Sequence, residues 1–276
     1  MKTLEIDGRA VPVLGQGTWN IGDSASTRAG EIATLRRGVE CGMTLIDTAE
    51  MYGSGRSETL AGEAIAGIRD RVYLVSKVLP SNASLEGTVK ACEASLKRLR
   101  TETLDLYLLH WRGRYPLRDT VKAFERLLEQ GKIGAWGVSN FDVDDMVELF
   151  DVPGGDGCAV NQVLYNPEHR GIEYDLLPWC RKRRVTVMAY SPVGQGGRLL
   201  NSGALRSVAN KHKAAPAQAA LSWCLRQPVL AIPKASSVKH VEENAAAADL
   251  ALDEQDLAEI DKAYPAPKSK QALDML

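Results

Sequence analysis

Four polar side chains stand at or near the ends of short apolar runs: Asp47 and Tyr52 in TLIDTAEMYG, Lys77 in VYLVSKV and His110 in LDLYLLHW. A carboxylate, a phenol, an ammonium and an imidazole gathered at one rim would make a general-acid site. An ammonium is costly to bury unpaired, so a lysine inside an apolar strand needs a partner. Asp47 on the neighbouring run supplies one. The pair has two open roles. It can be a purely structural ion pair, or it can tune Tyr52, because a nearby cation favours phenolate and lowers a tyrosine pKa from about 10. A tyrosine within loop reach favours tuning. His110, beside Trp111 at a strand end, is placed to hydrogen-bond a substrate oxygen. Schiff-base chemistry would be another use of Lys77, but it wants a neutral amine, and Asp47 would hold the amine charged. The other histidines, His169, His212 and His240, show no metal-ligand spacing, so no metal is expected.

Such residues must be positioned by strands. The candidate strands are 13–19, 44–49, 72–78, 104–110, 134–140, 159–165, 186–192 and 229–235. They are continuous apolar runs, as expected where both faces of a strand are buried. Amphipathic helical runs lie between them. In 84–100, Leu85, Val89, Cys92, Leu96 and Leu99 form one apolar face. Gly131 and Lys132 read as the stop of the helix before them. Eight strand–helix units in 276 residues indicate a (β/α)8 TIM barrel, expected as a single domain over 1–276. A doubly wound dinucleotide fold is disfavoured. Gly15, Gly17 and Gly22 are wrongly spaced for its phosphate turn, and GSGRSE at 53–58 is a weak match. LEIDGRAVPVLG predicts an N-terminal β-hairpin about Asp7-Gly8 that plugs the barrel bottom. DEQDLAEIDKAY, with Asp253 as N-cap, predicts an additional C-terminal helix.

In such a barrel the C-terminal strand ends face the active-site mouth. Asp47, Lys77, His110, Asn140, Gln162, Tyr190 and Lys234 fall there strand after strand, with Tyr52 on the loop after the second. The formal net charge of −1 and the lack of a basic stripe argue against a nucleic-acid partner. RKRR at 181–184 reads as a solvated helix end. No run approaches the roughly 20 apolar residues of a membrane span, and the N-terminus lacks a signal-peptide core. Five scattered cysteines without a C-x-x-C pair fit reduced thiols in a cytoplasmic protein. A monomer is expected.

These segments resemble the aldo-keto reductase family along nearly the whole chain. TLIDTAEMYG, VSKV and LDLYLLHW resemble the segments carrying its catalytic Asp, Tyr, Lys and His. GKIGAWGVSNF, VNQVLYNP, MAYSPVGQGG and AIPKASSVKHVEEN resemble its cofactor-binding segments. The resemblance implies an NADPH/NADP+ oxidoreductase in which Asp47, Tyr52, Lys77 and His110 are catalytic. It implies that the cofactor lies extended across the mouth, with Ser139, Asn140 and Gln162 at its carboxamide and Tyr190 stacked on its nicotinamide. Gly17, Thr18, Trp19 and Asp47 join that site. Ser191, Val193, Gly194 and Gln195 would lie along the pyrophosphate, and Lys234, Ala235, Ser236, Glu243 and Asn244 at the adenosine end. His240 stands where the family often has Arg. Histidine is mostly neutral at pH 7, so NADH use is also expected.

Trp19, Met51, Tyr52, His110 and Trp111 are expected to line the substrate pocket. The loops after the fourth and seventh strands and the tail after Pro265 read as short, which implies a shallow pocket with broad aldehyde scope. The resemblance is strongest to bacterial reductases of small reactive aldehydes such as methylglyoxal. A redox-sensing regulatory protein on the same fold is the alternative.

Overall fold

The computed structural model describes residues 1–276. An antiparallel hairpin, β1 (Thr3–Ile6) and β2 (Arg9–Pro12), opens the chain. Its turn is Asp7-Gly8, with φ of 46° and 76°, the left-handed pair that tight hairpins require. Eight parallel strands follow: β3 (Gln16–Gly17), β4 (Leu45–Asp47), β5 (Tyr73–Val78), β6 (Leu104–Leu109), β7 (Ile133–Ser139), β8 (Val160–Leu164), β9 (Thr186–Tyr190) and β10 (Val229–Ala231). Each pairs with its sequence neighbour. The two ends meet through a parallel bridge, Leu14 to Ala231, so the sheet closes as the expected barrel. Its first and last strands are shorter than expected. The Gly17 N–H still donates to the Pro233 carbonyl oxygen at 3.0 Å, but Pro233 has no N–H to return, which interrupts the ladder between them.

The helices around the barrel are α1 (Arg28–Glu40), α2 (Arg56–Ala64), α3 (Leu85–Leu99), α4 (Leu117–Glu129), α5 (Val143–Phe150), α6 (Leu176–Arg183), α7 (Gly203–Lys211), α8 (Pro216–Cys224) and α9 (Val238–Ala246). The expected extra helix is α10 (Glu254–Ala263), started by a capping box in which Asp253 accepts from the Asp256 N–H at 2.9 Å. Ser84 caps α3 in the same way, through the Gly87 N–H at 3.1 Å. The RKRR run ends α6, with Arg184 in the left-handed region. None of the helices is long and apolar enough to cross a membrane. All five cysteines are unpaired.

Strand periodicity sorts the barrel residues into two cores. Outward residues such as Leu74, Val78, Tyr107, Leu109, Val163 and Val187 join a large core shared with the helices. Inward residues Leu45, Val75, Leu106, Leu108, Val160, Met188 and Leu230 form a separate interior core. The hairpin supplies Ile6 and Val11 to that interior, and the Thr186 hydroxyl donates to the Glu5 carbonyl oxygen at 2.8 Å. Asp105, near the start of β6, is held there by Arg9 from the hairpin and by Arg69. The hairpin therefore closes the end of the barrel opposite the expected mouth.

Ile6 is fully enclosed, so Ile6→Ala leaves a cavity in this plug. We expect it to lower stability by about 2–5 kcal/mol, read as a reduced denaturant midpoint. An unchanged midpoint would mean that the hairpin does not seal the interior.

Candidate active site

Each inward column continues upward into a polar residue. Leu45 is followed two positions on by Asp47, Val75 by Lys77, Leu108 by His110, Gly137 by Ser139, Val160 by Gln162, Met188 by Tyr190, and Ile232 by Lys234. The same period of two that packs the interior thus delivers seven strands' functional groups to one rim. Tyr52 comes from the turn after β4, where its N–H bonds the Ala49 carbonyl oxygen at 3.1 Å. Gly53 and Gly55, with φ of 56° and 87°, let the chain fold back at once into α2.

Lys77 has no solvent exposure and uses all three ammonium protons. They go to Asp47 Oδ2 at 2.7 Å, to the Thr48 carbonyl oxygen at 2.9 Å and to the Tyr52 hydroxyl oxygen at 3.1 Å. Asp47 is itself buried, and its Oδ1 accepts from Gln162 Nε2 at 2.8 Å. Beneath it, the Thr18 hydroxyl bonds the Asp47 carbonyl oxygen at 2.9 Å, and the Ser57 hydroxyl bonds Thr18. The His110 ring meets the Tyr52 ring edge-on, 5.7 Å between centroids.

Burial alone would pull the Lys77 ammonium down, but Asp47 and Tyr52, with their hydrogen bonds, outweigh it and hold it above its ordinary value. The amine is therefore charged, as the sequence implied, which disfavours Schiff-base use. Tyr52 departs from the expected direction. Burial raises its phenol above the usual value, and the opposing pull of Lys77 does not overcome this. Tyr52 is thus held as the protonated phenol, the form that can give a proton. Burial, then Lys77, pushes His110 down to about 2, so its imidazole is neutral. His110 Nδ1 is sealed in the wall without a partner, which leaves Nε2 as the nitrogen available to the cavity.

A cavity of about 880 Å³ opens above these groups. Trp19, Met51, Tyr52, His110 and Trp111 line it, with Trp19 and Met51 on the exposed rim. Along the rest of the lining lie Gly17, Thr18, Asp47, Ser139, Asn140 and Gln162, then Tyr190, Ser191, Val193 and Gln195, and finally Lys234, Ser236, His240, Glu243 and Asn244. Asn140 sits at φ 59°, in the left-handed region that asparagine tolerates. Its Oδ1 accepts from the Tyr190 hydroxyl at 3.0 Å, and its Nδ2 donates to the His110 carbonyl oxygen at 3.2 Å. Lys234 Nζ reaches the Ser236 hydroxyl at 2.7 Å.

Two expected contacts lie off the lining. Ala235 is buried in the helix-side core, and Gly194, at φ 58°, packs its α-carbon against Leu199. The expectation of short walls holds for the connection after β6, residues 110–116, but not for the other two. The connection after β9 runs from Ser191 to Ala215 and includes α7, and the tail returns from α10 so that Met275 and Leu276 line the cavity. The tail is tied down on the way by Lys270 to Asp142 and by Asp274 to His169. Nothing in its Pro- and Lys-rich composition signals that path. No cluster of His, Cys, Asp or Glu that could hold a metal ion occurs.

A parallel barrel whose rim gathers a buried ion pair, a phenol and an imidazole beside a long cleft defines the class of barrel enzymes that handle protons. Residues 13–265 match the family described as the aldo/keto reductase family. The chain is 53% identical to methylglyoxal reductase YeaE of Escherichia coli, covering all of this chain and 99% of that protein. It is 33% identical to glyoxal reductase of Bacillus subtilis, covering 92% of this chain and 90% of that one. A crystal structure of an aldo/keto reductase from Klebsiella pneumoniae in complex with NADP and acetate is 50% identical and superposes with a TM-score of 0.98, covering 100% of this chain and 99% of that one. The chain belongs to the aldo/keto reductase family.

His110 gives a pH test. An unfolded histidine takes its proton near pH 6.5, whereas the folded one resists it down to about 2. Between those values the unfolded chain binds the extra proton, so stability falls as pH drops through the window. We expect the acid loss of stability to be smaller in His110→Gln, measured by denaturant midpoints. We also expect the wild-type His110 ring resonances not to titrate between about pH 5 and 8. Titration of that ring near neutrality would overturn the assignment.

Proposed function

We propose that this protein reduces small aldehydes and ketones to alcohols with NADPH, and that Tyr52 is the proton donor. The observation that carries this reading is the fully buried Lys77 ammonium, whose third hydrogen bond goes to the Tyr52 hydroxyl oxygen at the cavity floor. Family membership supports the reaction class. The methylglyoxal and glyoxal reductases among its relatives support small reactive aldehydes, methylglyoxal among them, as substrates.

The residues present fit a nicotinamide dinucleotide. Ser139, Asn140 and Gln162 offer hydroxyl and amide groups on one wall for a carboxamide, and Tyr190 offers an aromatic ring. Ser191, Val193 and Gln195 would border the pyrophosphate. Lys234, Ser236 and His240 would receive a 2′-phosphate, with Glu243 and Asn244 at the adenine. When bound, the reduced nicotinamide supplies the hydride.

The chain's own residues supply the proton and the placement. Lys77 occupies a lone pair of the Tyr52 oxygen, so the hydroxyl proton is free to point elsewhere. As charge gathers on the substrate oxygen, Tyr52 gives up that proton, and the phenolate left behind already faces an ammonium. Neutral His110 donates from Nε2 to the same oxygen and orients it. Trp19, Met51 and Trp111 make an apolar rim. The basic side chains of the lining, Lys234 and His240, belong to the proposed adenosine end. Uncharged carbonyl compounds therefore suit the substrate end. The reading also takes the protein as a monomer, and as cytoplasmic, where unpaired cysteines are usual.

Tyr52→Phe is expected to keep NADPH affinity, measured by fluorescence titration, and to lose about 10²–10⁴ in kcat. Unchanged turnover in that variant would rule out the proton donor. A panel of aldehydes assayed with NADPH and NADH is expected to show steady multiple turnover and a modest preference for NADPH. His240→Arg should sharpen that preference by lowering KM for NADPH alone; no change would remove His240 from the phosphate site.

A further inference from the structure

Gln162 lies 115 residues from Asp47 in sequence, yet its amide nitrogen is 2.8 Å from Asp47 Oδ1, and both residues are buried. The same nitrogen is 3.0 Å from Met188 Sδ. Both amide protons are therefore committed inside the barrel. The amide cannot be reversed, because its oxygen would then face the Asp47 carboxylate. Its Oε1 has no protein donor, and Gln162 is a lining residue of the cavity, so the oxygen is the end left for the cleft. A single rigid amide thus has its acceptor end toward the cleft and its donor end on the carboxylate that braces Lys77.

We propose that Gln162 is a positioning residue for the proton donor, linking whatever amide N–H seats against Oε1 to the Asp47–Lys77–Tyr52 chain. Asp47 has two oxygens and two directional donors, Lys77 on Oδ2 and Gln162 on Oδ1. Gln162 alone fixes the rotation of the carboxylate about the Lys77 bond. The positive end of its dipole also offsets the negative potential that Asp47 casts on Tyr52. Removing it leaves a buried carboxylate oxygen without a donor and makes phenolate harder to form at Tyr52. The inference deepens the reductase reading and rests on it for its kinetic arm.

The first test needs no cofactor. Gln162→Glu sets two carboxyl groups against each other, and two such groups share one proton. The folded-state pKa of the introduced carboxyl is then raised above its unfolded value. The variant is expected to come nearest to wild-type stability at about pH 4, below the unfolded glutamate value, and to lose stability progressively as pH rises toward 8, a loss absent from wild type. Asp47→Asn in the same background should reduce that pH dependence to the part that burial of the new carboxyl alone produces. A Gln162→Glu protein no more pH-sensitive than wild type would overturn the contact and the proposal.

The second test uses Gln162→Met, which keeps volume and removes the donor. At saturating NADPH its kcat is expected to fall about 10- to 100-fold, the scale of one hydrogen bond to a charged group, with the pH profile of kcat displaced. NADPH affinity, read by fluorescence, should weaken separately. If only affinity or KM for NADPH changes and kcat recovers fully at saturation, Gln162 holds cofactor and nothing more, and the coupling is wrong while the reductase reading stands. If wild type itself turns over no carbonyl substrate, the reductase reading fails and takes the kinetic arm with it, whatever the unloaded protein shows.

Discussion

A charged amine with no access to water dominates the upper half of this barrel. Burying the Lys77 ammonium would be prohibitive without compensation, and each of its protons meets an acceptor within 3.1 Å. Those acceptors come from the end of β4 and the turn beyond it. The requirement to satisfy one nitrogen therefore fixes the carboxylate, a backbone carbonyl and the phenol in mutual register. The hydroxyl layer of Thr18 and Ser57 below secures the backbone that carries two of the three.

The interior apolar core and the rim share their strands. Residues such as Val75 and Lys77, or Leu108 and His110, point the same way two positions apart, one into hydrocarbon and the next into the cleft. Packing below makes the positions above rigid, since shifting a strand by one residue would turn both out of the barrel. Chemistry at the rim thus inherits its precision from the fit of the core. Burial also sets protonation: it keeps Tyr52 a phenol and His110 neutral, while Asp47 keeps Lys77 charged.

Much of this was legible in the sequence because both signals are local. Apolar runs ending in a polar residue gave the strands and the rim together, and Asp7-Gly8 and Asp253 announced the hairpin and the last helix. What local pattern does not carry depends on distance. The Gln162–Asp47 bond joins β8 to β4 across the barrel, and no local pattern encodes it. The direction of the Tyr52 shift depends on the balance between desolvation and one cation, which spacing does not reveal. The walls built by Ser191–Ala215 and by Met275 and Leu276 arise from where irregular chain settles, through surface ties such as Lys270 to Asp142. β3 and β10 are shorter than the apolar runs that contain them because Pro233 has no N–H to complete the ladder, a break that apolarity alone does not signal.

The hairpin at the far end has a consequence for traffic. With Ile6 and Val11 packed onto a barrel interior already filled by side chains, no passage runs through that end. Ligands therefore enter and leave through the cleft at the rim, on the side away from the hairpin.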